Sequence, residues 1–219
     1  MDSSITRLSD IYSRQTNIGS YTNKSAMVIG VGGVGSWIAL DLALLGFGTL
    51  VLVDNDNLES SNLNRTLYKL EQTGKKKTEA VMTLIHERRP DSIVITIEDH
   101  FQTVLLDKYK VDYIFDCTDN LASRQLIRDY FKQSESKLSI QIPYCKCGYD
   151  GFQATLSFND FNSGRWGDDG SYTAVPSFFG TPQLLSAIAV VELIMVDSVQ
   201  SGSTNFNIKK ILTKIKENP

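Results

Sequence analysis

The run Met27-Val-Ile-Gly-Val-Gly-Gly-Val-Gly-Ser36 constrains the fold of this chain more than any other stretch. Apolar residues lead straight into Gly30, Gly32, Gly33 and Gly35, an apolar pattern continues as far as Gly46, and Val51-Leu-Val-Asp-Asn-Asp56 is a second apolar run that ends in acid. The order reads as buried strand, tight turn, helix start and second buried strand. The glycines remove side chains where the backbone must turn sharply and approach a ligand. The helix from Trp37 to Gly46 then points its positive end at whatever anion is bound. Asp54 comes about 20 residues on, at a strand end, where a carboxylate can accept hydrogen bonds from ribose hydroxyls. Such a run can also be an ordinary glycine-rich turn of an α/β domain. The two flanking strands and the spaced acid together favour a nucleotide-binding unit.

Apolar runs and helical patterns continue to alternate down the chain. Strands are expected at 26–30, 49–54, 92–97, 111–116 and 137–142, and helices at 34–45, 75–88, near 102–108 and at 121–132. This alternation predicts an α/β, Rossmann-like, doubly wound and mainly parallel sheet with helices on both faces. Phe152 to Phe158 alternates apolar and polar residues, which predicts an added, half-exposed antiparallel strand. A polar, glycine-rich loop runs from Asn159 to Gly170, and Leu184 to Val196 reads as a packed helix, too short and too interrupted to span a bilayer. The 219 residues are read as one domain, 1–219, with a nucleotide-binding half at about 26–142 and a substrate side at about 150–197.

The residues beyond Asp54 separate ATP from a redox cofactor. Asn62-Leu-Asn-Arg65 comes first, then Gly74-Lys-Lys-Lys77 at the next helix start, then Cys117-Thr-Asp-Asn120 after the fourth strand. With the strand-end acid, these resemble in register the motifs of the ThiF-like (ThiF, MoeB and HesA) adenylyltransferase superfamily, which activates ubiquitin-like proteins. Arg14-Gln15 matches an Arg-Gln pair that the family contributes to the neighbouring protomer's ATP site.

The resemblance implies an enzyme using ATP and magnesium. Its nucleotide site would be Gly30, Gly32, Gly33, Gly35, Asp54, Asp56, Asn62, Arg65 and Lys77. Arg65, Lys77 and, across a homodimer interface, Arg14 would form the cationic set around the triphosphate. Lys77 would stabilise the α-phosphoryl transition state, and Asp119 would be the magnesium-associated acid and the fourth catalytic residue. Asn62 would hold phosphate or ribose. The implied substrate is the carboxyl terminus of a small ubiquitin-like or sulfur-carrier protein. Alternatives are a small-molecule or tRNA-linked carboxylate, an inactive subunit paired with an active one, or a nicotinamide-dependent oxidoreductase. The last leaves the Asn-Leu-x-Arg and Cys-Thr-Asp-Asn matches without a role.

Charge and cysteine content narrow the choice. Lys and Arg number 22 against 25 acids, a net charge of −3, so there is no basic face for nucleic acid or for an anionic membrane. Three cysteines and no apolar leader point to a cytoplasmic chain without a disulfide framework. The paired Cys-x-x-Cys zinc ligands of many family members are missing. Cys145-Lys-Cys147 supplies two sulfurs on one face of a strand, read either as small buried residues or as a thiol site that accepts the activated carboxylate. Lys146 is expected on the opposite face, away from both sulfurs. His86 and His100 form no pair, and Trp37 is bulky for its place beside the turn, where packing against the sheet is the default.

Overall fold

Apolar, β-branched runs become strands, and the helices between them cover both faces. The computed structural model describes residues 11–15, 17–134, 142–160, 176–195 and 201–217. Strand β1 (Ser25–Ile29) is followed by helix α1 (Gly33–Leu45), β2 (Thr49–Val53), α2 (Lys77–His86), β3 (Ile93–Ile97), α3 (Val104–Tyr109), β4 (Tyr113–Asp116) and α4 (Leu121–Ser134). Then come β5 (Tyr144–Asp150), β6 (Gln153–Phe158), α5 (Gly180–Met195), β7 (Gly202–Asn207) and α6 (Ile208–Glu217). The seven strands form one sheet in the order β3-β2-β1-β4-β5-β6-β7. Pairing is parallel from β3 through β5 and antiparallel from β5 to β7.

Alternate residues of the central strands feed two cores. Ala26, Val28, Leu50, Leu52 and Phe115 face α1, α2 and α5, meeting Ile38, Leu42, Ala80 and Leu185. Met27, Ile29, Val51, Val53 and Ile114 face the other way, onto Leu106 of α3 and Ile127 and Phe131 of α4. Side chains such as Ile38 and Leu42, with no exposed surface, each contribute about 1.5–3 kcal/mol by burial. Both cores lie against β1, so the loops at its carboxyl end, between β1 and α1 and beyond β2 and β4, are the ones the sheet holds most firmly.

The fold class expected from the sequence is the one observed, with β6 antiparallel to β5 as its alternation implied. The strand expected at 137–142 differs: residues 135–141 lie outside the described residues, Ile142 is not in a strand, and Tyr144 to Asp150 pairs with β4 in register Ile114 to Tyr144. β7 and α6 were not anticipated. β7 is polar and largely exposed, and it is a strand because Ala154 to Leu156 of β6 pair with it, a non-local cause. The polar, glycine-rich loop 159–170 falls almost wholly outside the described residues. Among the described residues, no helix is long and apolar enough to cross a membrane.

Candidate active site

At three of the four glycines an added Cβ would crowd the chain, at Gly30 and Gly35 its backbone and at Gly33 the end of a side chain. Gly30 has φ +81°, and a Cβ there would lie 3.0 Å from the Cys117 carbonyl oxygen; one on Gly35 would lie 1.8 Å from the Gly30 carbonyl oxygen, and one on Gly33 2.4 Å from the Tyr149 hydroxyl. Gly32 differs, since a Cβ there would meet nothing within 4 Å. It is the cap residue of α1 and offers no side chain to the first amides of the helix. The helix therefore opens with bare N–H groups beside free space, where an anion is favoured.

Asp54 ties this turn to the next loop. Its Oδ2 accepts from the Val31 amide at 2.8 Å and its Oδ1 from the Asp56 amide at 2.9 Å. Each carboxylate oxygen keeps a further lone pair for a ribose hydroxyl. Burial pushes the Asp54 carboxyl above its ordinary value, and the nearby Lys77 ammonium pulls it part of the way back. Lys77 Nζ donates to Asp56 Oδ2 at 2.7 Å; its side chain is 12% exposed, whereas that of Asp56 is 58% exposed. The Lys77 amide also bonds the Asp56 carbonyl at 3.1 Å, so the start of α2 is clamped to the loop after β2. Lys76 is taken up by the Asn55 carbonyl at 2.8 Å, and Lys75 is exposed. Of the three lysines, Lys77 is the one held beside the acids.

Tyr68 was missed by sequence reasoning, because an isolated tyrosine in a polar loop carries no signal. It is buried, and its hydroxyl lies against the carbonyl oxygens of Val31 and Lys77, joining the glycine turn to the lysine helix. Burial, then the Asp54 charge, pushes its phenol well up, so it stays a neutral donor.

Asn62 and Arg65 sit one loop further out. The Asn62 amide oxygen accepts from the Glu59 amide at 3.1 Å, which commits it to the turn. The Arg65 guanidinium folds onto its own turn, donating to the Ser61 carbonyl at 2.7 Å and to Asn64 Oδ1 at 3.0 Å. Trp37 now has a role: its indole N–H donates to the Arg65 carbonyl at 3.0 Å, fastening this loop to the first turn of α1.

The Cys117-Thr118-Asp119-Asn120 segment abuts the glycine turn through the Cys117 carbonyl beside Gly30. Asp119 is exposed, and Asn120 Oδ1 accepts from the Ser123 amide at 2.8 Å at the start of α4. The segment is shaped from below by two residues that the sequence did not single out. The fully buried Asp116 accepts from Thr118 N at 3.1 Å, Thr118 Oγ1 at 2.7 Å and the Tyr144 hydroxyl at 2.8 Å. Arg124, also buried, donates from Nε to the Thr118 carbonyl at 2.9 Å and from Nη2 to the Cys147 carbonyl at 2.9 Å. A charge inside an apolar strand was the available signal for Asp116. Among the described residues, no three of His, Cys, Asp and Glu come together as a metal nest. One exposed carboxylate, Asp119, fits a magnesium ion held mainly by phosphate oxygens and water.

Cys145 and Cys147 do share one face, with their sulfurs 3.7 Å apart, but they are 0% and 1% exposed. Burial pushes the Cys117 and Cys145 thiols well up, whereas hydrogen bonding with these two neighbouring sulfurs holds Cys147 below the ordinary thiol value. The cation near these sulfurs is Arg124, not Lys146, and its hydrogen bond goes to the Cys147 backbone. Their burial fits sheet packing. His86 and His100 are both exposed, and His86 bonds the Ser92 carbonyl at 3.1 Å.

Arg14 is not brought to the site of its own chain. Tyr12 and Gln15 reach the Ala43 and Leu45 carbonyls at the far end of α1, and Arg14 between them is exposed. The 13 residues of α1 put about 20 Å between that end and Gly32.

The ThiF family model matches residues 12–167. Adenylyltransferase and sulfurtransferase uba4 of Aspergillus niger is 41% identical over 106 residues, 47% of this chain and 22% of the relative. Ubiquitin-like modifier-activating enzyme 5 of Caenorhabditis elegans is 38% identical over 118 residues, 48% of this chain and 28% of the relative. The tRNA threonylcarbamoyladenosine dehydratase of Haemophilus influenzae is 35% identical over 112 residues, 49% and 43% of the two chains. The matched region thus spans less than half the length of each of these relatives. Among solved structures, E. coli MccB with MccA superposes with a TM-score of 0.69 at 18% identity, covering 91% of this chain and 72% of that one. The same protein with ATP gives 0.64 at 19% identity, covering 86% and 64%. At these identities the likeness is one of fold.

Proposed function

The chain belongs to the ThiF family, and we propose that it is an ATP-dependent adenylyltransferase that activates the carboxyl terminus of a small ubiquitin-like or sulfur-carrier protein. The observation that carries this reading is the linked set Val31, Asp54, Asp56 and Lys77, which holds an ammonium beside the ribose acid and the open helix terminus. A nicotinamide cofactor, whose pyrophosphate sits on the helix terminus, has no use for that lysine.

In the proposed reaction a carboxylate oxygen attacks the α-phosphorus of ATP. The bond from that phosphorus to the bridging oxygen breaks, pyrophosphate leaves with the electron pair, and an acyl adenylate remains. The protein's task is to orient the two substrates and to offset the negative charge that grows on phosphoryl oxygens. Lys77 and the α1 amides would do this at the α-phosphate. Arg65 would turn from its loop onto the phosphates, Asn62 would reach them or the ribose through its amide nitrogen, and Asp54 would hold the ribose. Asp119 would hold magnesium, which when bound neutralises phosphate charge. Arg14 would come from the partner of a homodimer, since about 20 Å of helix α1 separates it from its own site.

We read residues 1–219 as one adenylation unit, acting in the cytoplasm, where three free thiols are at home. Relatives named as ubiquitin-like modifier-activating enzyme 5 and uba4 support the protein substrate. The relative named as a tRNA threonylcarbamoyladenosine dehydratase favours a second reading, a tRNA-linked carboxylate, against which the net charge of −3 weighs.

Pyrophosphate–ATP exchange measured with a panel of ubiquitin-like and sulfur-carrier proteins, and with tRNA, tests the two readings side by side. Exchange driven by one of the proteins is expected. Tight calorimetric binding of NAD without binding of ATP would remove adenylation altogether.

A further inference from the structure

The chain uses a buried charge to hold down one short turn far from its nucleotide site. Arg89, in the loop between α2 and β3, is 1% exposed. Its Nε and Nη2 engage both oxygens of Asp91, at 2.9 and 2.8 Å, and its Nη1 donates to the Ala43 carbonyl near the end of α1. The guanidinium carbon then lies 4.7 Å from the centre of the Tyr12 ring. That ring also fills the space beside Gly46, where a Cβ would approach it to 3.1 Å, and its hydroxyl bonds the Ala43 carbonyl at 3.5 Å. Gln15 completes the seat, donating to Leu45 O at 2.7 Å and to Gly19 O at 3.3 Å, and its backbone amide closes the turn onto the Tyr12 carbonyl at 2.8 Å. Between Tyr12 and Gln15, both fixed, Ser13 and Arg14 are exposed at the crest, and Arg14 is the charged one.

We infer that Arg89 is a positioning residue for Arg14: its buried guanidinium is the floor on which the Tyr12–Gln15 turn rests, so that Arg14 is presented in a fixed pose to a second copy of this chain. This rests on the reading that Arg14 serves the partner's ATP site. The physical argument is one of preorganisation. A guanidinium held by a bidentate carboxylate and a carbonyl cannot swing, so an aromatic ring stacked on it is seated by both cation–π attraction and shape. An arginine carried on a turn seated in this way reaches across an interface without first ordering its own backbone.

The test counts ATP sites in defined dimers by calorimetry with magnesium and ATP, using differently tagged chains so that mixed dimers can be purified. Arg89→Met keeps length and removes the charge, and Asp91, whose side chain is 40% exposed, is left with water for a partner, so the fold should survive. The Arg89→Met homodimer should bind ATP about tenfold more weakly than wild type, the loss of a charged contact that is present but misplaced. Paired with Lys77→Ala, it should regain one site of wild-type affinity, because that site has its own Lys77 and receives Arg14 from a chain whose Arg89 is intact. Paired with Arg14→Ala it should regain none, since both lesions strike the same contribution.

Unchanged affinity in the Arg89→Met homodimer overturns the inference. So does failure of Arg89→Met to be rescued by Lys77→Ala when Arg14→Ala is rescued by it, because Arg89 would then act on its own site or on the fold. If Arg14→Ala itself is not rescued by Lys77→Ala, the reading of Arg14 across the interface fails, and the inference with it, a result distinct from the other two. Should Arg89→Met not fold, Tyr12→Leu removes the other half of the stack and is judged by the same outcomes.

Discussion

Helix α1 ends in opposite ways at its two termini. At Gly32 there is no capping side chain and a Cβ would meet nothing within 4 Å. At the other end three carbonyls of the last turn, those of Leu42, Ala43 and Leu45, are taken up by other groups. Gly46 and Phe47 amides take the Leu42 carbonyl, Tyr12, Arg89 and the Gly46 amide converge on Ala43, and Gln15 takes Leu45. Arg89 adds a positive charge at the helix's negative end, which the macrodipole favours. The contrast teaches that unmet hydrogen bonds are not a defect of this helix. The bonded end anchors structure, and the bare end is where we propose that a charged substrate binds.

The largest expected effects test the bare end. Lys77→Ala and Asp119→Ala should each lower pyrophosphate exchange by on the order of 10²–10³, the usual consequence of losing a contact made to developing charge. Thermal melting should barely move, because Lys77 pairs with an Asp56 that is mostly exposed and Asp119 is itself exposed. Normal exchange in either variant would show that the chemistry lies elsewhere.

Two glycines three residues apart sharpen the distinction between structure and ligand. Gly35→Ala forces a Cβ to within 1.8 Å of the Gly30 carbonyl and should cost about 3 kcal/mol or more of stability, read by denaturant unfolding. Gly32→Ala should leave stability within about 0.5 kcal/mol, while its methyl group intrudes where phosphate is proposed to lie and weakens ATP by about tenfold in calorimetry. If both variants lose stability equally, the free space at Gly32 is not a ligand space.

A milder change probes the bonded end. Gln15→Ala strips one hydrogen bond from the Leu45 carbonyl and should cost about 0.5–1.5 kcal/mol, a fall of about 1–6 °C in melting temperature for a chain of this size. In the variant homodimer ATP binding should weaken, but by less than in Arg89→Met, because only part of the seat beneath Arg14 is lost.

The smallest effect is one of pH. The Asp54 carboxyl titrates above its unfolded value because it is buried, so its contribution to stability is fully present below the unfolded pKa, about 3.9, and is lost as pH rises through the folded value. Without nucleotide, the stability of wild type relative to Asp54→Ala should therefore fall between acid and neutral pH. An advantage that grows over that range would mean that hydrogen bonds from Val31 and Asp56 outweigh burial.

How far these features could be read beforehand varied with how local their causes are. The glycine turn, the acid after β2 and the lysine opening α2 were legible because each role is set by neighbours along the chain. Trp37 had no evident purpose until the Arg65 carbonyl was seen against its indole. Amphipathic α6 is legible too, with Ile208, Ile211, Leu212 and Ile215 at helical spacing. Tyr68, Asp116, Arg89 and Arg124 were not legible, since each acts on residues brought near by folding: Val31 lies 37 positions from Tyr68 and Ala43 lies 46 from Arg89.

The sequence by itself determined the period of each element, the glycine and acid positions of the turn, the order of the motifs and hence the doubly wound sheet. Hydrophobic spacing and backbone freedom are properties of short stretches and need no partner to be expressed. Tertiary structure decided that Arg14 stands at the wrong end of α1 for its own site, and that polar β7 becomes a strand. Those outcomes depend on hydrogen bonds and charges meeting across the sheet, and such bonds form only between groups that the packed core has already placed.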